Sequence, residues 1–349
     1  MALTALFSHL LFALGLFGVS ILLTKLMLQR ARIMDIPNSR SAHVAPTPKS
    51  GGVAIVMTFC LGCIVIFTVA ERIVIRQAYF HGFLFSALLI AIVSLYDDIK
   101  NKPFVFKLVT QFVAVGVVLA SGLLVDQIAL PVVGLVGLGW LSLPVSFLWI
   151  VGLTNAFNFM DGLDGLAGGV AAISGAFFCY ITFSQGSTFV YITSYAIVSG
   201  ALGFLVYNWH PAKVFMGDVG SAFLGFVFAV LAIIAARYDS SHTSFLVMPL
   251  LLLNFIFDTF FTFVRRLMCG ERVVDAHRAH LYQLCNRLGL SHKAVCFVQY
   301  GMCVTQGLGA VWMVNIPGAE RMLVFLPFLL FQAVYAFFVI RRARAMRLL

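Results

Sequence analysis

Long apolar runs separated by short polar segments extend along the whole chain. Most of the runs are close to the roughly 20 residues that a helix needs to cross the hydrocarbon of a bilayer. They lack the regular alternation of polar and apolar positions that marks a membrane-spanning barrel strand. The pattern therefore predicts eleven transmembrane helices, at residues 5–27, 52–70, 79–96, 107–125, 139–157, 166–184, 188–207, 220–238, 243–264, 294–314 and 321–340.

Composition supports an all-α polytopic membrane protein. Of the 349 residues, 62% are hydrophobic and 10% are charged, whereas about 25% of the residues of a soluble domain are charged. No internal repeat or low-complexity stretch divides the sequence. Residues 1–349 are therefore predicted to form a single integral membrane domain with its functional loops in the cytoplasm.

The Lys and Arg residues predict how the helices are oriented. With the N-terminus outside, 18 of the 23 Lys and Arg residues fall in five cytoplasmic segments, at residues 28–51, 97–107, 208–219, 265–293 and 341–349. Basic loops remain on the cytoplasmic side, so the C-terminus is predicted inside. The net charge of +10 then reflects topology and attraction to anionic lipids rather than binding to nucleic acid.

The few acidic residues indicate chemistry. Only 13 residues are Asp or Glu, and five of them form three short clusters at the ends of apolar runs: Asp97 with Asp98, Asp161 with Asp164, and Asp218. In the predicted orientation all three clusters face the cytoplasm. Carboxylates near hydrocarbon are costly unless they face a polar cavity, and neighbouring carboxylates repel each other unless a cation lies beside them. The arrangement favours a divalent-metal site in an enzyme that acts on a membrane substrate.

Two of the clusters also have simple structural explanations. Asp97 and Asp98 could have no role other than to form the polar end of a helix. Asp218 stands directly before an apolar run and could cap the helix that follows.

The stretch between Asn158 and Gly165 is harder to explain by capping alone, because a cap uses one acidic residue. Asn158, Asp161 and Asp164 are spaced by three residues and would share a face of a helix or tight turn. Gly162 and Gly165 allow the backbone to approach a ligand closely. The amides at the start of the next helix could also bind anionic oxygens.

Cationic and aromatic candidates lie in other cytoplasmic segments. Lys49, with Arg40 and His43, could bind an anionic headgroup or could simply contribute to the positive charge of the inner face. Lys213 could pair with a phosphate or mark the same face. Phe215 precedes Asp218 and could stack on a base.

The largest cytoplasmic loop contains His277, Arg278 and His280. Their side chains suit phosphate binding or proton transfer, although the same residues would be ordinary in a solvated loop. Asp258, near the inner end of the ninth predicted helix, is a further candidate for a buried acid.

Taken together, these motifs resemble the polyprenyl-phosphate N-acetylhexosamine-1-phosphate transferases of glycosyltransferase family 4. That family includes the phospho-N-acetylmuramoyl-pentapeptide translocase and the enzymes that initiate O-antigen and enterobacterial common antigen synthesis. The resemblance runs from Asp35 to about Gln283, and its most specific parts are residues 158–165 and 217–221. It implies a bundle of ten or eleven helices with a cytoplasmic cleft and a Mg²⁺ site, with Mn²⁺ as the alternative ion. The partners implied are a UDP-N-acetylhexosamine and undecaprenyl phosphate at the inner face of a bacterial plasma membrane, and the products are undecaprenyl-diphosphate-sugar and UMP.

The resemblance also assigns roles to the matching positions. Asp218 would be the main metal ligand, with Asp98 beside it supporting metal or phosphate. Asp97 would deprotonate the lipid phosphate, and Asn158 and Asp161 would line the catalytic site. The substrate contacts would be Asp164, Asn208 and Phe215 for uridine, His277, Arg278 and His280 for the diphosphate, and Lys49 and Lys107 for phosphate oxygens.

One departure from the family pattern concerns the sugar. The muramoyl-pentapeptide enzymes have three consecutive His residues, whereas this chain has His277-Arg278-Ala279-His280. That variant is similar to the O-antigen initiators that transfer 6-deoxy sugars such as N-acetylfucosamine or N-acetylquinovosamine. The resemblance therefore implies a 6-deoxy N-acetylhexosamine donor, with UDP-GlcNAc as the alternative.

Other classes of function predict different sequence features. A secondary transporter would explain many helices and acids inside the membrane, but paired broken helices in two halves are not apparent, and the acids crowd one face. A membrane scaffold for an envelope complex would not need Asp218. A CDP-alcohol phosphotransferase would need an Asp-Gly-x-x-Ala-Arg pattern, which is absent. A homodimer is compatible with the sequence.

Overall fold

The computed structural model describes residues 3–30, 33–37, 46–69, 77–131, 133–272 and 277–349, so Arg40 and His43 lie outside the described residues. Two short antiparallel strand pairs join β1 (Met34–Asp35) to β2 (Thr47–Pro48) and β3 (Gln127–Leu130) to β4 (Gly134–Gly137). The α-helices are α1 Leu3–Gln29, α2 Gly52–Val69, α3 Gln77–Lys100, α4 Phe104–Ala120, α5 Ser142–Phe159, α6 Leu166–Ser184, α7 Val190–Asn208, α8 Asp218–Ile233, α9 Val247–Leu251, α10 Leu253–Met268, α11 Leu281–Arg287, α12 His292–Met313 and α13 Phe325–Ala345.

The all-α polytopic membrane class is confirmed. Within the described residues, eight helical segments are long and apolar enough to cross a membrane, and two shorter apolar helices begin at Gly52 and Phe104. Each of the eleven predicted spans coincides with helical structure. The number of crossings, the orientation of the termini and the single-domain organisation stay predictions.

Two predicted spans differ in detail from the helices observed. α4 ends at Ala120 rather than at residue 125, because Gly122 adopts a left-handed φ of +94°, a conformation that commonly ends helices. The ninth span, 243–264, is interrupted between α9 and α10 at Leu252. Residues 250–253 are all Leu, so hydropathy could not register the interruption.

α8 is the central helix of the bundle. In its most apolar stretch of 18 residues, 94% of the residues are buried inside the protein. The helix packs against α2, α3 and α5. Apolar residues lie on all sides of α8, which is the pattern of a helix surrounded by other helices. α8 begins at Asp218, so this predicted site residue lies in the first turn of the buried central helix.

The start of α2 is held against the start of α8 by direct backbone contact. The N–H groups of Gly51 and Gly52 donate to the carbonyls of Phe215 (3.0 Å) and Met216 (2.8 Å). A Cβ atom at Gly52 would lie 2.5 Å from the Cα of Gly220. Only glycine therefore allows these two helices to approach at this point.

Gly52→Ala is expected to destabilise the protein, because the new methyl group would overlap backbone atoms that cannot move independently. Overpacking of this kind costs about 1–3 kcal/mol, so the thermal unfolding midpoint in detergent should fall. Gly116→Ala is the control, since no described heavy atom lies within 4 Å of a Cβ built on Gly116 in α4. Its midpoint should be unchanged or higher, and an unchanged midpoint for Gly52→Ala would contradict the packing argument.

Candidate active site

The predicted acidic clusters meet around the start of α8. The carboxylate of Asp98, at the end of α3, accepts hydrogen bonds from the backbone N–H groups of Asp218 (3.3 Å) and Val219 (3.1 Å). Asp98 is only 4% exposed. A carboxylate is stabilised at the N-terminus of a helix by the free amides and the helix dipole, so Asp98 fixes the end of α3 to α8.

Two lysines contact these carboxylates. The Nζ atom of Lys107, in α4, lies 2.6 Å from Oδ2 of Asp97 and also contacts Oδ2 of Asp218. The Nζ atom of Lys49 lies 3.4 Å from Oδ1 of Asp98. Both lysine side chains remain partly exposed, at 26% and 20%, so an incoming phosphate could reach them.

Asn158, near the end of α5, joins the same centre. Its amide Nδ2 donates to Oδ1 of Asp218 (3.1 Å) and to Oγ of Ser221 (2.9 Å). These contacts place Asn158 beside the first turn of α8, and its amide oxygen could serve as a neutral metal ligand.

Asp161 has no cationic partner among the described residues. Burial, followed by the negative charges of Asp218, Asp98 and Asp164, raises the pKa of Asp161 to about 8. Asp161 is therefore largely protonated near pH 7, and a cation beside it would favour its carboxylate form. Carboxylate and amide oxygens are the ligands that Mg²⁺ prefers, so the donor set of Asp98, Asp161, Asp218 and Asn158 fits a hard divalent cation.

Asp164 and Asn208 lie at one flank of this centre. The Asn208 side chain accepts from the N–H of Gly165 (3.0 Å) and donates to the carbonyl of Val214 (2.8 Å), which ties the α5–α6 turn to the α7–α8 loop. Oδ2 of Asp164 lies 2.6 Å from Nδ1 of His210. Phe215 is half-buried in the same α7–α8 loop, and the uridine roles of Asp164, Asn208 and Phe215 stay predictions.

Asp258 organises the start of α11. Its Oδ1 lies 3.2 Å from Nδ1 of His280 and accepts from the N–H of Leu281 (2.8 Å), while Oδ2 accepts from the N–H of Tyr282 (3.0 Å). Asp258 and His280 are 2% and 5% exposed. The buried acid predicted from the sequence is therefore a residue that orients His280.

His277 lies beside His280, with ring centroids 4.9 Å apart. Burial, with smaller contributions from His280 and Arg266, lowers the pKa of His277 to about 4, so His277 is neutral near pH 7. Arg278 is partly exposed in the same segment, and its carbonyl accepts from Nη1 of Arg287 at 3.0 Å. Asp275 lies outside the described residues.

An apolar cavity of about 740 Å³ lies between α5 and α10. Its walls include Leu148, Trp149, Leu153, Ile256, Phe260 and Phe263, and its polar lining includes Arg266, His277, His280 and Gln283. A smaller cavity of about 90 Å³ is lined by Lys107 and Asp218, and Phe104, Asn155 and Phe159 line both cavities. The apolar cavity therefore adjoins the acidic centre.

Arg266 is a polar residue of the cavity lining that the sequence motifs do not reveal, although the spacing of polar residues in α10 carries a signal for it. Asn254, Asp258, Thr262 and Arg266 recur every four residues and are all buried on one face of α10. Nε of Arg266 lies 2.7 Å from Oε2 of Glu271. The motifs do not reveal His210 and His292 either, because these residues are 82 positions apart in the sequence and come together at Asp164 only in the folded chain.

Comparison with known proteins finds one matching family and several similar enzymes. The family described as glycosyl transferase family 4 matches residues 80–236, which include the carboxylates from Asp97 to Asp218. The probable undecaprenyl-phosphate N-acetylglucosaminyl 1-phosphate transferase of Bacillus subtilis is 32% identical over 271 residues, covering 76% of this chain and 73% of the relative. The decaprenyl-phosphate N-acetylglucosaminephosphotransferase of Mycobacterium leprae is 29% identical over 321 residues, covering 83% and 77%. The phospho-N-acetylmuramoyl-pentapeptide-transferase of Halalkalibacterium halodurans is 44% identical over 136 residues, covering 38% and 42%.

The contacts of Asp258 predict the effect of removing its carboxylate. Asp258→Ala should release the start of α11, because two backbone N–H groups and His280 lose their acceptor. Hydrogen–deuterium exchange at residues 280–284 is expected to accelerate about tenfold or more, as for the loss of hydrogen bonds to a charged group.

Asp239→Ala is the matched control, because Asp239 accepts from the N–H groups of Phe189 (3.1 Å) and Val190 (3.4 Å). That variant should accelerate exchange near residues 189–190 and leave residues 280–284 unchanged. Equal exchange at residues 280–284 in Asp258→Ala and the wild type would show that Asp258 does not hold α11.

Proposed function

The chain belongs to glycosyl transferase family 4, and we propose that it transfers the sugar 1-phosphate of a UDP-N-acetylhexosamine to undecaprenyl phosphate. The products would be undecaprenyl-diphosphate-sugar and UMP. The single observation that carries the proposal is that a carboxylate and lysine centre adjoins a large apolar cavity with polar groups in its lining. Transfer between a water-soluble donor and a lipid phosphate requires both environments side by side.

The reaction would be a phosphoryl transfer. In a one-step transfer, to which a path through a covalent Asp intermediate is the alternative, an oxygen of the lipid phosphate would attack the β-phosphorus of the UDP-sugar. The bond from that phosphorus to the bridging oxygen would break. UMP would leave with the bridging oxygen. Such reactions depend mainly on positioning the reactants and neutralising their charge, which suits a centre built from carboxylates and lysines.

Asp218, Asp98 and Asp161 would hold a divalent cation, proposed to be Mg²⁺ with Mn²⁺ as the alternative. When bound, the cation would neutralise negative charge on the diphosphate. Lys49 and Lys107 would bind phosphate oxygens, because their partly exposed ammonium groups lie beside Asp98 and Asp218, at the proposed cation site. Asp97 is proposed to take the proton from the lipid phosphate.

The apolar cavity would take part of the polyprenyl chain. Leu148, Phe260 and Phe263 line it and are also exposed on the outer surface of the helix bundle, so a lipid tail could enter from the bilayer. His277, Arg278 and His280 would then bind phosphate groups near the polar part of the cavity. Neutral His277 can donate one hydrogen bond, whereas a nearby phosphate dianion would favour its protonated form.

Two donors are supported by different observations. The similar enzymes from Bacillus subtilis and Mycobacterium leprae are named for N-acetylglucosamine, which favours UDP-GlcNAc. The His277-Arg278-Ala279-His280 pattern favours a 6-deoxy N-acetylhexosamine. The proposed setting is the cytoplasmic face of a bacterial plasma membrane, where the product would start an O-antigen or a related envelope glycan.

The reaction itself is tested by UMP release from purified protein. Release should require undecaprenyl phosphate and a divalent cation, and EDTA should abolish it until Mg²⁺ or Mn²⁺ is restored. Asp218→Asn should lower kcat by about 100-fold or more, in the range expected when charge stabilisation is lost from a phosphoryl-transfer centre. The control is Asp126→Asn, since Asp126 pairs with Arg237 at the opposite end of the bundle. Near-normal turnover in Asp218→Asn would overturn the metal assignment.

The donor is tested by comparing kcat/KM for UDP-GlcNAc, UDP-N-acetylfucosamine, UDP-N-acetylquinovosamine and UDP-MurNAc-pentapeptide under the same conditions. A preference for either 6-deoxy sugar would support the prediction made from His277 to His280. A preference for UDP-GlcNAc would contradict that prediction and would agree with the sugar for which the similar enzymes from Bacillus subtilis and Mycobacterium leprae are named.

A further inference from the structure

The carboxylate of Asp164 joins three separate elements through one oxygen. Oδ2 lies 2.6 Å from Nδ1 of His210 and accepts from the N–H of Ala212 at 3.1 Å. It also lies 3.5 Å from Nδ1 of His292. Asp164 belongs to the α5–α6 turn, His210 and Ala212 to the α7–α8 loop, and His292 begins α12. The side chains of Asp164, His210 and His292 form the Asp164 cluster.

The other oxygen, Oδ1, receives no hydrogen bond from the described residues, although the Asp164 side chain keeps 10% of its surface exposed. Burial works to raise the pKa of Asp164, but the interactions with His292, His210 and the Ala212 amide outweigh it and lower the pKa to about 2. Asp164 is thus a carboxylate at every physiological pH. It can accept an N–H or O–H group, and it repels a phosphate.

The cluster lies next to the acidic centre, since the charge of Asp164 contributes to the raised pKa of Asp161. The lysines that could bind phosphates contact other carboxylates of this centre: Lys49 contacts Asp98, and Lys107 contacts Asp218. A UDP-sugar bound with its diphosphate at the lysines would therefore have an anionic acceptor available for its nucleoside.

The interatomic distances indicate that hydrogen bonds, rather than a zinc ion, hold the Asp164 cluster together. Two ligands of a tetrahedral zinc ion, with bonds of about 2.0–2.1 Å, lie about 3.3 Å apart. The 2.6 Å between His210 and Asp164 is shorter and corresponds to a charge-assisted hydrogen bond. Nδ1 of His292 is buried and has no hydrogen-bond partner within the described part of the chain, so it supports Asp164 through proximity rather than through an ideal hydrogen bond.

We propose that His210 and His292 are positioning residues for nucleoside recognition, which hold Asp164 by Oδ2 and leave Oδ1 to accept an N–H or hydroxyl group of the donor's uridine. This inference rests on the proposed function. His210 has the larger effect, because its contact with Oδ2 of Asp164, at 2.6 Å, is shorter than the 3.5 Å contact of His292.

The test compares His210→Phe with His210→Asn, because Asn keeps an N–H donor at about the position of Nδ1. In His210→Phe the KM for the UDP-sugar should rise about tenfold to 100-fold, as expected when a hydrogen bond to a charged group is lost. The KM for undecaprenyl phosphate should stay within about threefold of the wild type, and His210→Asn should restore most of the lost donor affinity. His81→Phe is the control, because His81 lies near the start of α3, whereas Asp98 lies near the end of that helix. The His81 ring contacts Phe67 and Phe80.

Three results would overturn the inference. An unchanged donor KM in His210→Phe would exclude a role in recognition. Equal losses for both substrates, with a lower unfolding midpoint and no recovery in His210→Asn, would show a purely structural clamp. One equivalent of zinc in the purified wild type that is absent from His210→Phe would identify the cluster as a metal site.

Calorimetric binding of UMP separates this inference from the proposed reaction. If the wild type binds UMP but releases none from any donor, the reaction fails, while weaker UMP binding by His210→Phe still supports the positioning role. Equal UMP binding by the wild type and His210→Phe would overturn the positioning role even if the reaction is observed.

Discussion

The hydrogen bonds from the amides of Asp218 and Val219 to the Asp98 carboxylate are the interaction on which both fold and site depend. α8 is enclosed by other helices, so the amides of its first turn have little access to water. Leaving such a group unpaired costs about 1–3 kcal/mol. The preceding residue, Gly217, has φ +71° and no side chain with which to cap the helix, and a Cβ there would lie 2.7 Å from Oδ2 of Asp98. The cap is therefore supplied by α3, which brings a carboxylate to the start of the central helix.

Charge balance around that cap explains why the centre suits phosphates and a cation. Lys107 bridges Asp97 and Asp218, and Lys49 approaches Asp98, so each lysine is held by carboxylates yet remains partly exposed. Asp161 has no cation beside it among the described residues, and its pKa, raised to about 8, keeps it largely protonated near pH 7. A divalent cation held by these residues would favour the ionised form of Asp161, and the ammonium groups could then contact phosphate oxygens. The same residues can thus be stable together without substrate and still change partners when substrate arrives.

Hydropathy and motif spacing predicted the helical membrane class and the acidic residues that meet at α8, because span length and short-range spacing are local properties of the sequence. Local properties do not show which lysine approaches which carboxylate, or that His210 and His292 meet at Asp164. Those contacts depend on how distant helix ends pack. The four-residue spacing of polar positions in α10 could have revealed Arg266, whereas the interruption at Leu252 lies within four consecutive leucines and has no hydropathy signal.

The juxtaposition of polar and apolar spaces follows from where α4 begins and α5 ends. Phe104, Asn155 and Phe159 line both the small cavity beside Asp218 and the large apolar cavity, so one thin wall separates a charged space from a lipophilic one. α10 also borders a polar and an apolar environment, since its buried face carries polar residues while Phe260, Phe263 and Leu267 are exposed. An amphipathic helix of this kind can line a polar cleft and face lipid at once. A lipid phosphate could then reach the acidic centre while its hydrocarbon chain remained in an apolar environment, which avoids the cost of exposing that chain to water.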